Sequence, residues 1–231
     1  RHGVIKYDAG DTVLALNIAD EKFDSQGSDG ILTVFGASPM EEAKTYARMH
    51  FNNYPPPIDR AVFTDFDNHQ YAIVQTLTTR TETSDKLFLQ ELRYNEADFR
   101  AAEFFFENQL GLIPLEKNDR MMSFATANVT LAVCLKKDAP PARKDSFLTV
   151  FHTRDIKKKF QELEDRGLKF EGPVTYSDIG GTARFWSPGN HCFCLYEPST
   201  ESLSWGSGEK VKSIIEGETN TCFWQTYDNA S

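Results

Sequence analysis

Residues 87–94 (LFLQELRY) are rich in apolar side chains, lie between polar segments, and predict a strand. Asp98 to Asn108 (DFRAAEFFFEN) predicts a helix, closed by Leu110-Gly111. Arg120 to Ala125 and Val129 to Lys136 alternate apolar and polar positions with a period of two, which predicts two further strands. The order is that of a β-α-β-β-β unit. It returns further on: a strand at Leu148 to Phe151, then a helix from Asp155 to Arg166. In that helix Phe160 and Leu163 recur at helical spacing among Lys, Glu and Asp, as one apolar stripe on a solvated surface. Phe185 to Glu197 then reads as strand, tight turn and strand.

The pattern is also present in the first half of the chain. Leu32-Thr33-Val34-Phe35 recurs word for word as Leu148-Thr149-Val150-Phe151, and a helical stretch from Pro39 to Met49 follows the first copy. The segment from Phe63 to Gln75 parallels Phe185 to Glu197, with Asn68-His69 falling on Asn190-His191. Thr12 to Asn17 parallels Thr130 to Cys134. Four units result: the tail of one in residues 1–20, a second over 30–76, a third over 87–138 and a fourth over 146–198. Polar linkers lie at 20–30, Thr76 to Lys86 and Asp138 to Asp145, the last containing Pro140-Pro141.

Taken in sequence order, the units group as an N-terminal domain over 1–78, a linker over 79–86 and a C-terminal domain over 87–198. A polar tail follows over 199–231, with a short helix near Glu209 to Ile215. The first unit shows only its closing strands. A sheet cut at that point leaves an unpaired edge and an apolar face, which three readings explain: the sequence is a piece of a longer chain, the missing strands have been removed, or a protein partner covers the incomplete unit.

The stretch from Gly167 to Glu197, with Gly172-Pro173, Gly180-Gly181 and FWSPGNHCFCLYEP, resembles the second half of a glyoxalase/bleomycin-resistance domain. Asp98, Phe105-Phe106 and Leu110-Gly111-Leu112 are similar to that family's helix and turn. The resemblance, to the vicinal oxygen chelate superfamily, implies an α+β fold. Tandem βαβββ modules would pair into two cup-shaped mixed sheets, with the first module incomplete. Members that bind a metal place a His, Gln or Glu on the first strand of each module and a Glu on the last. The ion they hold acts as a Lewis acid in lyase, isomerase or dioxygenase chemistry.

Carried onto this chain, those positions fall on Leu148 and Cys194 in the fourth unit. In the third they fall on Cys134 and on Glu91, or Leu89 in a shifted alignment. In the N-terminal half they fall on Asn17, Leu32 and Ala72. Leu and Ala donate nothing to a cation, so no metal and no cofactor is expected. The alternative is one divalent ion in the C-terminal cup, held by Glu91, Cys134 and Cys194 with His152 nearby.

Each candidate also has a plainer reading. Cys134 and Cys194 are small apolar side chains suited to packing. Glu91 and Arg93, two apart on one strand face, form an internal ion pair as readily as Glu91 forms a catalytic base. His152 is a candidate base or anion contact, or a half-exposed structural residue. His69 and His191 recur at one repeat position and shape the turn. Phe104, Phe105 and Phe106 form core and interface packing. The expected cavity set is therefore Glu91, Arg93, Cys134, His152, Trp186, Cys194 and Tyr196. In the antibiotic-binding manner that the resemblance also implies, Trp186 and Tyr196 would stack on a flat small-molecule ligand. The function expected is metal-free small-molecule binding, or an accessory role in a larger assembly. The alternative is a metal-dependent lyase, isomerase or dioxygenase.

Composition narrows the partners. A formal net charge of -9 and a pI of about 5.1 leave no basic surface for a phosphate backbone, which argues against nucleic acid. No apolar run reaches the roughly 20 residues of a membrane span. The four cysteines, Cys134, Cys192, Cys194 and Cys222, contain no CxxC pair, and the Cys192–Cys194 spacing is too constrained for a disulfide. A soluble protein in a reducing compartment is expected: cytoplasm, or an organelle interior such as stroma or matrix. Two glycosylation sequons, at Asn128 and Asn229, are chance matches on this reading.

Overall fold

The computed structural model describes residues 4–8, 13–17, 30–37, 60–64, 69–75, 86–126, 129–137, 139, 142, 147–204 and 212. The predicted helix from Pro39 to Met49, most of the tail helix near Glu209, Asn128, Asn229 and Cys222 lie outside these residues.

Thirteen strands are described: β1 (Val4–Asp8), β2 (Val13–Asn17), β3 (Ile31–Ala37), β4 (Arg60–Thr64), β5 (Gln70–Gln75), β6 (Lys86–Tyr94), β7 (Pro114–Lys117), β8 (Met121–Thr126), β9 (Val129–Leu135), β10 (Leu148–His152), β11 (Thr175–Ser177), β12 (Gly180–Trp186) and β13 (Cys192–Pro198). Helix α1 (Glu96–Phe104) follows β6, and α2 (Ile156–Asp165) follows β10. The strands predicted from alternation are present to within a residue at each end.

Helix α1 starts two residues before Asp98 because Asn95 caps it, its side chain accepting from the Asp98 backbone N–H at 2.9 Å. The helix continues into a π-turn over Phe105–Gln109. Phe105 and Phe106 are buried, whereas Phe104 is 58% exposed. The run, expected to serve core and interface packing, thus fills the core through Phe105 and Phe106 and presents Phe104 on the surface. Each helical residue turns the side chain by about 100°, so three in a row cannot share one face.

The two mixed sheets expected from the repeat are both present. One has seven strands in the order β4-β5-β3-β6-β9-β8-β7, the other four in the order β10-β13-β12-β11, and β1 pairs with β2 separately. Their membership departs from the expected grouping by sequence order. β3, the first strand of the second unit, pairs antiparallel with β6, the first strand of the third. The seven-stranded sheet therefore spans the expected 79–86 linker, and the third and fourth units share no sheet. First strands of all units present similar edges, so the alternation cannot specify which two meet.

The third and fourth units pack face against face instead. Leu92, Tyr94, Phe124, Leu131 and Val133 of the large sheet form one continuous core with α1, the π-turn, α2 and Phe151, Phe185, Phe193 and Leu195 of the small sheet. Phe151, Phe185 and Phe193 stack within it, with ring centroids 5.7 Å apart for Phe151–Phe193 and 5.5 Å for Phe185–Phe193. Burying each such ring contributes about 1.5–3 kcal/mol. At the seam the Thr149 hydroxyl donates to Gln90 Oε1 at 3.1 Å. Gln90 lies opposite Thr33 in the β3–β6 register, so equivalent threonines of two repeats meet at one glutamine.

Candidate functional site

Residues opposed in a ladder share a sheet face. The register therefore places Gln70, Ala72, Leu32, Val34, Leu89, Glu91, Ala132, Cys134 and Ser123 on the face of the seven-stranded sheet turned away from the core. Arg93 joins them through its pairing with Cys134.

On this face Arg93 Nε donates to Glu91 Oε1 at 2.9 Å, and Arg93 Nη1 donates to Gln70 Oε1. The guanidinium thus reaches across the start of β3, from β6 to β5. Glu91 is 7% exposed. Its charge is held by the guanidinium, as burying a carboxylate requires. The Glu91–Arg93 pair is the plainer of the two readings of these residues, and it is present. Beside it, Leu32, Val34 and Ala72 are buried in a small apolar cluster with Val62 and Leu89.

The other expected cavity residues lie on the four-stranded sheet. Val150 opposes Cys194, His152 opposes Tyr196, and Trp186 opposes Cys192, so all six share the face turned away from the core. The Tyr196 hydroxyl donates to the Ile179 carbonyl at 2.7 Å, and its ring meets His152 edge-on at 5.4 Å. Cys192 and Cys194 are each 4% exposed. Burial pushes the Cys194 thiol up, which favours the protonated form over the thiolate that binds metal. Cys134 is half-buried, whereas Cys192 and Cys194 are buried.

The expected single cavity is thus corrected into two sets. Glu91, Arg93 and Cys134 lie on one sheet; His152, Trp186, Cys194 and Tyr196 lie on another. The physical reason is the β3–β6 pairing, which gives β6 a neighbour other than β10. The donor set on either sheet does not suit the metal of the resemblance. Leu32 opposes Glu91 directly, Ala72 is methyl only, and Glu91 is engaged by Arg93. Among the described residues no three His, Cys, Asp or Glu side chains gather at metal-holding spacing. None of the described helices is long and apolar enough to cross a membrane.

Gln70 was absent from the expected set. A signal existed: it lies two residues before Ala72 on the same strand, hence on the same face.

His191 is 1% exposed and sits at the junction of the units. Its Nε2 lies 3.1 Å from the Arg93 carbonyl oxygen and therefore carries the proton; Nδ1 has no hydrogen-bond partner among the described residues. Burial lowers its pKa to about 4, so the ring is neutral. It packs on Tyr94, whose hydroxyl lies 2.7 Å from Ser187 Oγ. His191 thus braces the backbone from which Arg93 projects.

Residues 89–195 match the model of the Glyoxalase/Bleomycin resistance protein/Dioxygenase superfamily. Among solved structures, a protein of Bacillus subtilis subsp. subtilis str. 168, named as a candidate dioxygenase, superposes with a TM-score of 0.60 at 12% identity, over 84% of this chain and 70% of its own. A glyoxalase-related enzyme from Fulvimarina pelagi matches at 15% identity with a TM-score of 0.43, over 50% of this chain and 94% of its own. TnmS3, an antibiotic-binding protein from Streptomyces sp. CB03234, matches at 22% identity with a TM-score of 0.39, over 47% and 93%. No curated protein matches the sequence.

Proposed function

Residues 89–195 form a domain of the Glyoxalase/Bleomycin resistance protein/Dioxygenase superfamily, and from this premise we propose that the protein binds a small organic molecule without a metal ion. The observation that carries this reading is Arg93, held between Glu91 and Gln70 on the sheet face that also bears Leu32 and Ala72. A cation there would have to displace Arg93 from Glu91, and two of the positions that the family uses for ligands offer only hydrocarbon.

The same arrangement suits recognition. Arg93 is pre-positioned by two acceptors, so little side-chain entropy is lost when it engages a ligand. Its Nη2 has no partner among the described residues and offers a planar donor to a carbonyl or carboxylate oxygen. Apolar Leu32, Val34 and Ala72 adjoin it. The ligand class is thus a small, partly apolar molecule carrying a carbonyl or carboxylate. An accessory role within a larger assembly is compatible with this chemistry, since it requires no turnover.

Thermal-shift screening of a library of small aromatic carboxylates and ketones tests the reading. The expected result is a melting shift in the native protein that Arg93→Met abolishes. A flat response across the library counts against it. So does about one bound equivalent of Zn, Mn, Fe or Ni by elemental mass spectrometry, which restores the alternative of a metal-dependent lyase, isomerase or dioxygenase.

A further inference from the structure

We propose that the tip of the β11–β12 hairpin is an interaction surface, and that it meets the same tip of a second copy of this chain across a two-fold axis. The hairpin turns through two residues, Asp178 and Ile179, between Ser177 and Gly180. Turns this short usually carry small polar residues or glycine. This one carries a β-branched apolar side chain, Ile179, which is 45% exposed, and shortly before it Tyr176, which is 58% exposed. Both remain about half in water, so a local rule is broken with no gain inside the chain itself.

Both side chains are nevertheless held in place. Tyr176 lies opposite Gly181, where a Cβ would come within 2.9 Å of its ring and 3.1 Å of Ile156. The absent side chain thus leaves a slot that seats the ring between β12 and the start of α2. The Lys157 ammonium lies over that ring, 5.8 Å from its centroid. At the tip, the Ile179 carbonyl accepts from the Tyr196 hydroxyl at 2.7 Å and from the Ser199 backbone N–H at 2.9 Å. The Ser199 hydroxyl donates to the Asp178 carbonyl at 2.6 Å. A turn braced in this way loses little entropy on association, and a fixed tyrosine is the kind of side chain that anchors protein contacts.

The occupant follows from charge. Lys157 stands in the first turn of α2, which has no acidic residue and where the helix dipole disfavours a cation. It enters no ion pair among the described residues, and neither does Asp178. The patch therefore holds one cation and one anion, not paired with each other, around two apolar side chains. An acidic partner would be opposed by Asp178, and a basic one by Lys157. A second copy related by a two-fold axis is opposed by neither. Lys157 of each copy faces Asp178 of the other, with Tyr176 and Ile179 packed between, because an isologous contact uses the same patch twice. The chain as a whole carries a formal net charge of -9, so two copies repel over most of their surface and approach where a patch is neutral. Four side chains make a small contact, in the class below about 1,200 Å² that marks transient encounters, so the dimer forms as concentration rises.

Sedimentation velocity of the full chain over a concentration series tests this. The expected mass rises from 26.2 kDa towards twice that value. Lys157→Asp and Asp178→Lys each set like charges opposite one another, and each alone should weaken self-association about tenfold or more. Lys157→Asp also suits the dipole of α2, so the fold tolerates it. An equimolar mixture of the two variants should associate as the native protein does, because mixed pairs restore opposite charges at both contacts. Ile113→Lys, at another exposed apolar position, should leave self-association unchanged. If Asp178→Lys does not fold, Ile179→Asn keeps both charges and should weaken association instead. A native chain that stays at 26.2 kDa at every concentration overturns the proposal. So does self-association that survives folded Lys157→Asp or Ile179→Asn, or a pair of folded charge variants that stays monomeric when mixed.

Discussion

The ring of His191 lies 4.6 Å from that of Tyr94, tilted by 57°, and places a neutral imidazole at the buried junction between the two sheets. That contact links pH to stability. The folded pKa is lowered from the usual 6.5 to about 4, so the unfolded chain takes up the proton first. Stability is full above about 6.5, falls as pH drops from there towards 4, and levels off below. The loss attributable to this residue reaches at most about 3 kcal/mol. Urea unfolding of the native protein and of His191→Gln at several pH values should show the variant with the shallower decline. Parallel curves would rule His191 out as the titrating group.

The Tyr94 hydroxyl and Ser187 form a directional pair. Ser187 donates to the Pro188 carbonyl, so Tyr94 is the donor in its own bond to Ser187. Burial pushes the Tyr94 phenol up, beyond the range in which it ionises. Removing either partner therefore has unequal effects. Tyr94→Phe leaves Ser187 with its own proton satisfied and should cost about 1 kcal/mol. Ser187→Ala strands a buried phenolic hydroxyl and should cost about 2 kcal/mol. Chemical denaturation of both variants and the double variant measures the coupling, and equal single-variant costs would refute the assigned direction.

The Glu91–Arg93 pair should be asymmetric as well. Arg93→Met leaves a carboxylate of 9% side-chain exposure without its guanidinium, a change that costs about 2–4 kcal/mol. Glu91→Gln retains an acceptor oxygen for Arg93 Nε and should cost under about 1 kcal/mol. Thermal melts of the two variants should rank in that order. The reverse ranking would mean that Glu91 is solvated enough to lose nothing when the guanidinium is removed.

How far the sequence reached can be judged from the same residues. The strands over 87–94, 120–125, 129–136 and 148–151, the helices that follow the first and last of these, and the Glu91–Arg93 pair were legible, because each depends on spacing within about ten residues; β7 and β11 were not singled out, and the helix from Pro39 to Met49 lies outside the described residues. The partner of β6 was not. Ile31 to Val34 and Leu148 to Phe151 carry the same tetrapeptide, and in the fold the fourth unit instead meets β6 through Ser187 on Tyr94 and His191 on the Arg93 carbonyl. That contact joins residues about a hundred positions apart, with no periodic signature. The expected cavity residues lie on two sheets: Glu91, Arg93 and Cys134 on one, and His152, Trp186, Cys194 and Tyr196 on the other. Gln70 was within reach of period-two reasoning from Ala72, and its pairing with Arg93 was not, since it crosses an intervening strand.

Two glycines of positive φ separate backbone constraint from side-chain crowding. Gly111 has φ +71, and a Cβ there would meet the guanidinium of Arg166, whose flexible arm can swing aside at the expense of its bond to Glu162. Gly111→Ala should cost about 1–2 kcal/mol, mostly from the left-handed backbone. Gly180, at the start of β12, has φ +133, and its Cβ would collide with the Glu197 carbonyl oxygen and lie 2.7 Å from the Ser199 amide nitrogen. Those atoms belong to the neighbouring backbone, where Ser199 also bonds back to Ile179, so neither can move alone. Gly180→Ala should therefore cost more than about 3 kcal/mol, combining a forbidden backbone region with overpacking. For a chain of this length each kcal/mol lowers the melting temperature by about 2–4 °C. Melting curves should show Gly111→Ala as a small shift and Gly180→Ala as a large shift or loss of soluble protein. A Gly180→Ala variant that melts with the native protein would show that β12 and β13 do not approach this closely in solution.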